Sequence, residues 1–125
     1  MNEFSTEGKT QSRNPGPGKK IAYIVTRDEA MEILEDNLSS LVRNEETVEI
    51  VAIYFVDNGV YQIVKGARIA NKIRDALRVR DIFLYVDDES VKKRNLQNML
   101  LEDAKIGTIA DFYASTQDAD HIIAL

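Results

Sequence analysis

The sequence predicts an α/β fold with a mostly parallel sheet. The first observation is Val48–Phe55, eight mostly apolar residues rich in β-branched side chains, a composition typical of a strand that is covered on both faces. The second is that this run ends at the turn Asp57-Asn58-Gly59, after which apolar residues recur at helical spacing. The third is that strand, turn and helix repeat in this order along the chain, as they do in βαβ units.

About five strands are predicted. Four are short apolar runs, and one three-residue segment is either a loop or a very short strand. In chain order they are Ile21–Val25, Val48–Phe55, Asp81–Val86, the short segment Lys105–Gly107, and His121–Leu125.

Helices are predicted where apolar residues recur every three or four positions. The spacing of Thr26 and Glu29 fits a capping box and predicts a helix that extends to about Val42. A second helical segment runs from Val60 to about Arg78, with a break near Gly66 because glycine weakens a helix interior. Three shorter helices are predicted later. The first two are Asp88–Arg94, with Asp88 as N-cap, and Leu96–Glu102. The third begins at Thr108, where Thr108 and Asp111 repeat a capping-box-like spacing, and packs Ile109, Phe112 and Tyr113 inward.

Length and composition predict one folded domain. The chain has 125 residues, of which 44% are hydrophobic and 30% charged, values that are ordinary for a globular domain. Residues 1–18 hold both prolines and three of the six glycines, and such a polar segment cannot bury enough apolar area to offset its ordering entropy. We therefore expect a disordered tail over residues 1–18 and a domain over residues 19–125.

Charge and residue counts exclude several classes of function. No apolar run approaches the roughly 20 residues that cross a bilayer, and no signal-peptide core is present, so we expect a cytoplasmic protein with no membrane partner. The formal net charge of −5 repels phosphate backbones and argues against nucleic acid. The absence of cysteine excludes thiol chemistry, and the single histidine argues against a histidine metal site. No metal and no cofactor are predicted.

Polar residues follow the predicted strands, where parallel sheets bind ligands. Asp57, Asn58 and Gly59 come directly after the second strand. Their backbone N–H groups are candidates to bind an anion at a helix start. The ordinary interpretation is a turn that needs positive φ at Asn58 or Gly59. No glycine-rich nucleotide fingerprint is present in the sequence.

A second polar group follows the third strand. Asp87 and Asp88 are candidates for a carboxylate pair that binds a divalent cation or supplies a general base, and Ser90 lies two residues further on. The ordinary interpretation is a helix cap beside a solvated acid. Together the candidate ligand-binding residues are Asp57, Asn58, Gly59, Asp87, Asp88 and Ser90, and no catalytic residue is assigned.

The order of three segments resembles the DsrE/DsrF-like sulfur-relay superfamily. The segments are VAIYFVDNGVYQIVKG, IFLYVDDESVKKRNL and the ending IGTIADFYASTQDADHIIAL. The resemblance covers about Ile21 to Leu125. It implies a three-layer α/β/α fold and assembly into homo-oligomers or hetero-oligomers, commonly trimers or hexamers.

The resemblance also implies a reactive cysteine after the third strand, which receives and passes on persulfide sulfur in the active subunits of the family. Matching Val91–Leu96 to the basic helix of the family puts that cysteine at Asp87. A carboxylate cannot hold sulfane sulfur, because the intermediate requires a thiolate. The family also contains subunits without this cysteine, which act as structural or partner members.

Two functional hypotheses follow. The first is a non-catalytic DsrE-like subunit or binding module of intracellular sulfur metabolism, which assembles with itself or with a cysteine-bearing partner. The second is a small-molecule or metal-binding protein, or an enzyme, that uses Asp87 and Asp88 in the former sulfur pocket. A sulfurtransferase that acts alone is rejected, since the chain has no thiol.

Overall fold

The computed structural model describes residues 18–45 and 48–125. Five parallel strands form one sheet in the order β4-β3-β2-β1-β5, as the α/β prediction requires. The strands are β1 Lys20–Val25, β2 Glu49–Phe55, β3 Phe83–Asp87, β4 Lys105–Gly107 and β5 His121–Ala124. The helices are α1 Glu32–Val42, a 3-10 helix Asp57–Ile63, α2 Arg68–Ala76, α3 Asp88–Lys93 and α4 Ile109–Ala114.

The larger core lies between the sheet and helices α1, α2 and α3. Alternate residues of β1 point to this side because side chains in a strand alternate between faces, and Ile21, Tyr23 and Val25 are fully buried there. Helix α3 contributes Val91 to the same core. We call this side of the sheet the helix-rich face.

The opposite side of the sheet is covered by α4, and we call it the α4 face. Its core consists of Ala22, Ala52, Tyr54 and Phe112, with the rings of Tyr54 and Phe112 5.7 Å apart between centroids. The fold therefore has three layers, α/β/α, as the family resemblance implies.

The helix boundaries differ from the predicted ones in two places. Helix α1 begins at Glu32 and has no side-chain cap; the hydroxyl of Thr26 instead donates to the carbonyl oxygen of Leu125 at 2.9 Å. The predicted capping box was wrong because the Thr26 hydroxyl bonds to the last residue of the chain and not to the first turn of a helix. The predicted helix Leu96–Glu102 is a series of turns, in which Leu100 forms an isolated bridge with Val64.

Other elements agree with the sequence. The break near Gly66 is present, with a φ of 90° between the 3-10 helix and α2. Helix α4 has the capping box that Thr108 predicts. Of the three side chains predicted to pack inward there, however, only Phe112 is buried, while Ile109 and Tyr113 are largely exposed, because six residues of helix present one narrow stripe to the sheet.

The prediction for the N-terminal tail and the finding on membrane-spanning helices concern different parts of the chain. The predicted disordered tail lies outside the described residues except for Gly18. Among the residues that the structure does describe, no helix combines the length and apolarity that crossing a membrane requires.

Candidate functional site

The candidate site lies at the carboxyl ends of β2, β3 and β4. Strand β3 leads into α3 on the helix-rich face, whereas β4 leads into α4 on the opposite face. Ligands of parallel sheets bind where neighbouring strands send their connections to opposite faces. The last residues of these strands, Asp87 and Gly107, are paired in register across the crevice.

Asp87 is held by three hydrogen bonds. Its Oδ2 accepts from the backbone N–H of Ser90 at 3.0 Å and from the Ser90 hydroxyl at 2.7 Å. Its Oδ1 accepts from the hydroxyl of Tyr54 at 3.3 Å. The residue is thus the N-cap of α3, a position that was predicted for Asp88.

These contacts determine the charge state of the site. The hydrogen bond from the Ser90 hydroxyl is the largest cause that lowers the pKa of the Asp87 carboxyl below its ordinary value. Burial, and then the nearby Asp87 charge, raise the pKa of Tyr54 to about 12. At neutral pH the site therefore contains a fixed carboxylate and a protonated phenol that donates to it.

Ser90 links α3 to the 3-10 helix. Its hydroxyl is buried and accepts from the backbone N–H of Asp57 at 2.9 Å while it donates to Asp87. Asp57 has a φ of 54°, the left-handed conformation that short polar residues tolerate best among non-glycine residues. One hydroxyl thus connects the ends of β2 and β3.

Arg94 adds a second link between the same elements. Its Nη2 donates to Oδ1 of Asn58 at 2.8 Å, and its Nη1 donates to the carbonyl oxygen of Ser90 at 3.0 Å. Its guanidinium lies 6.0 Å from the centre of the Tyr61 ring, within the range of a cation–π contact. From the sequence, Arg94 was predicted only as the end of a helix, so this internal role was missed.

Gly59 is required for a different reason from the predicted one. Positive φ occurs at Asp57, not at Asn58 or Gly59. At Gly59 a Cβ atom would overlap the backbone carbonyl of Val25, because the 3-10 helix passes directly against the end of β1. The turn is therefore built by close backbone approach at the glycine and by left-handed backbone at the aspartate.

Asp88 does not take part in this network. Its Oδ2 lies 3.0 Å from Nζ of Lys92 one helical turn away, and about half of its side chain is exposed. Five of the six candidate residues, Asp57, Asn58, Gly59, Asp87 and Ser90, are thus brought together, and the sixth faces its own helix. In residues 18–45 and 48–125, no group of three or more His, Cys, Asp or Glu side chains is arranged to hold a metal ion.

On the β4 side of the site, the start of α4 is also capped by side chains of the chain itself. Thr108 Oγ1 accepts from the backbone N–H of Asp111 at 3.1 Å, and Asp111 Oδ2 accepts from the backbone N–H of Thr108 at 2.9 Å. Both helices that start at the crevice therefore direct a carboxylate of the chain itself onto their first turn. Such carboxylates occupy the position where an external anion would bind a helix start.

The sequence held only partial signals for this arrangement. The three-residue spacing of Asp87 and Ser90 fits an N-cap and its N3 position, but Asp88 fits a helix start equally well. Tyr54 lies in an apolar strand, and nothing in its local sequence indicates that its hydroxyl reaches the end of β3.

Comparison with known proteins gives a family and a fold. The model of the DsrE/DsrF-like family matches residues 19–125. No match was found among curated protein sequences.

Two solved structures share the fold. The YchN protein from E. coli is 14% identical, with a TM-score of 0.62, and the match covers 86% of this chain and 99% of that one. The protein of unknown function MTH1491 from Methanobacterium thermoautotrophicum is also 14% identical, with a TM-score of 0.63, and the match covers 84% and 98%. At this identity the similarity extends to the fold alone.

Proposed function

Because the chain belongs to the DsrE/DsrF-like family, we propose that it is a non-catalytic subunit or binding module associated with intracellular sulfur metabolism. In this function it assembles with itself or with a cysteine-bearing subunit of the family. It stabilises or completes an assembly whose sulfur chemistry is done by a partner.

The observation that carries this proposal is the state of Asp87. The residue stands at the end of β3, where the family resemblance puts the reactive cysteine, and its carboxylate accepts hydrogen bonds from Ser90 and Tyr54. These donors favour the charged form of the carboxyl and so hold a negative charge at the start of α3 at neutral pH. The side chain therefore supports the local fold in place of a reactive group.

Chemistry supports the same assignment. Persulfide transfer needs a sulfur nucleophile that can carry a second sulfur atom and release it to another thiolate. The 125 residues contain no cysteine. A carboxylate forms no persulfide, so the chain can take part in sulfur relay only by binding.

Exposed apolar side chains support assembly. Phe83 on β3 is 54% exposed and Tyr113 on α4 is 49% exposed, and both lie on the α4 side of the sheet. Phe83 stacks on Tyr85 with ring centroids 6.4 Å apart and planes 6° from parallel, so its exposed ring is already ordered. Ordered, exposed aromatic rings are typical anchors of protein interfaces.

Size-exclusion chromatography with light scattering tests this proposal. We expect a defined oligomer, a trimer or hexamer of this chain, or a mixed complex when a cysteine-bearing DsrE-family subunit is added. A chain that stays strictly monomeric and retains no such subunit in a pull-down would contradict the proposal. The cytoplasmic location remains a prediction from the sequence, which fractionation of the source cells would test.

A further inference from the structure

We propose that the free edge of β5 pairs antiparallel with β5 of a second copy, about a twofold axis that passes beside Ile123. This inference rests on the proposed assembly in its hexameric form and assigns one of its contacts, because a closed trimer has no twofold axis. Within the described residues, β5 pairs on one side only, with β1. Its other side is a sheet edge.

The backbone of β5 presents defined hydrogen-bonding groups at that edge. The N–H of Leu125 donates to the carbonyl of Ile24 at 2.7 Å, and the carbonyl of Leu125 accepts from the N–H of Thr26 at 3.0 Å. Both groups of Leu125 therefore point toward β1. Since this direction alternates along a strand, the N–H and C=O groups of Ile122 and Ala124 point toward the free edge.

The side chains of β5 do not protect this edge. Natural edge strands are commonly shortened or carry lysine, which prevents pairing with another chain. Strand β4, the opposite edge, has both features, since it is three residues long and includes the exposed Lys105. Strand β5 has the sequence His-Ile-Ile-Ala, without lysine, arginine or acid, and Ile122 is 36% exposed.

Charge favours a second copy as the occupant. The chain carries a net charge of −5, so most surfaces of two copies repel each other. At the start of β5, Lys20 forms an ion pair of 3.1 Å with Asp118, and the carboxylate of Asp120 accepts from the backbone N–H of Lys20. The strand itself contains no lysine, arginine or acid. Two copies that pair along β5 therefore bring no acidic side chains of the strand itself together.

The register of such a pair is self-complementary. With Ile123 opposite Ile123 of the second copy, Ile122 lies opposite Ala124, and both of these residues have edge-facing backbone groups. Each such pair exchanges two hydrogen bonds, so the two symmetric pairs satisfy all the edge-facing groups of Ile122 and Ala124. The apolar side chains of Ile122 and Ala124 meet on the α4 face.

The N-terminal residues of the chain are a poorer occupant by composition. Residues 1–17 contain two large apolar side chains, Met1 and Phe4, among polar and charged ones. A second β5 offers apolar residues at every position of the pair.

Disulfide trapping in full-length protein tests the pairing, because the natural chain has no cysteine. In the proposed register, Ile123 faces its own copy at a Cα separation of about 4.5 Å, within the range of a disulfide. Ile123→Cys is therefore expected to form a covalent dimer under mild oxidation at low protein concentration. The matched control is Ala124→Cys, whose two copies lie diagonally, about 7–8 Å apart, at or beyond the limit for a disulfide.

We expect Ile123→Cys to cross-link at least about tenfold faster than Ala124→Cys, although Ala124 is the more exposed residue. Equal or faster cross-linking of Ala124→Cys would overturn the pairing.

Light scattering on the unmodified chain distinguishes failure of the β5 pairing from failure of the proposed assembly. A trimer, or an oligomer whose Ile123→Cys variant does not cross-link, overturns the β5 contact alone, and a strict monomer overturns both. A second variant, Ala124→Lys, leaves the contacts with β1 intact and is expected to reduce the assembled mass; an unchanged mass would also overturn the pairing.

Discussion

Replacement of Asp87 by alanine is expected to destabilise the domain far more than the same change at the neighbouring acid. Loss of a helix N-cap costs about 1 kcal/mol. The hydroxyls of Tyr54 and Ser90 are buried and donate to Asp87. Leaving buried donors without an acceptor costs roughly 1–3 kcal/mol more. We therefore expect a total loss of about 2–4 kcal/mol in the free energy of unfolding.

Asp88→Ala is the matched control because it removes the same charge one residue away. Asp88 makes only a half-exposed ion pair with Lys92, and such pairs contribute about 0.3–0.5 kcal/mol. Urea unfolding measures both variants. With a slope of about 2 kcal/mol per molar urea, the middle of the usual range, the midpoint should fall by roughly 1–2 M for Asp87→Ala and hardly at all for the control. Equal midpoints for the two variants would refute the structural function of Asp87.

Three further predictions test neighbouring parts of the account. In urea titrations, the difference in unfolding free energy between the natural chain and Asp87→Asn should shrink as pH falls below about 4. The pKa of Asp87 is lowered in the folded state, so its carboxylate stabilises the fold at pH values above the unfolded-state pKa, and this contribution is lost when the carboxylate is protonated. A difference that does not change with pH would contradict this. Gly59→Ala should lower the melting temperature sharply or prevent folding, since its Cβ would overlap the Val25 carbonyl; a native-like melting temperature would disprove the close approach. Phe112→Ala should lower the free energy of unfolding by about 3–5 kcal/mol, whereas Tyr113→Ala, which truncates a half-exposed ring, should lower it by less than about 1 kcal/mol. Similar losses for the two variants would show that Phe112 is not the residue of α4 that packs against the sheet.

The strands could be predicted because burial on both faces leaves a strong local signal. Val48–Phe55 is apolar almost throughout, which few structures other than a covered parallel strand require. The break at Gly66 and the capping box at Thr108 could also be predicted, since each depends on residues within one turn of helix. Family resemblance then supplied the three layers.

The details of the site depend on contacts between distant parts of the chain and could not be read locally. Tyr54 reaches Asp87 across neighbouring strands, and Ser90 meets Asp57 between two helices. The capping-box spacing at Thr26 was misleading because its hydroxyl is used by the carbonyl of Leu125, at the far end of the sequence. Local pattern gave the candidate residues, and only packing decides which of them meet.

Sulfur transfer in a mixed assembly tests the central claim most directly. A cysteine-bearing DsrE-family subunit is loaded with radiolabelled sulfane sulfur, mixed with this chain, and the complex is separated and analysed by non-reducing electrophoresis. The account predicts that the two chains elute together and that all covalent label stays on the partner. Label bound covalently to this chain would contradict it.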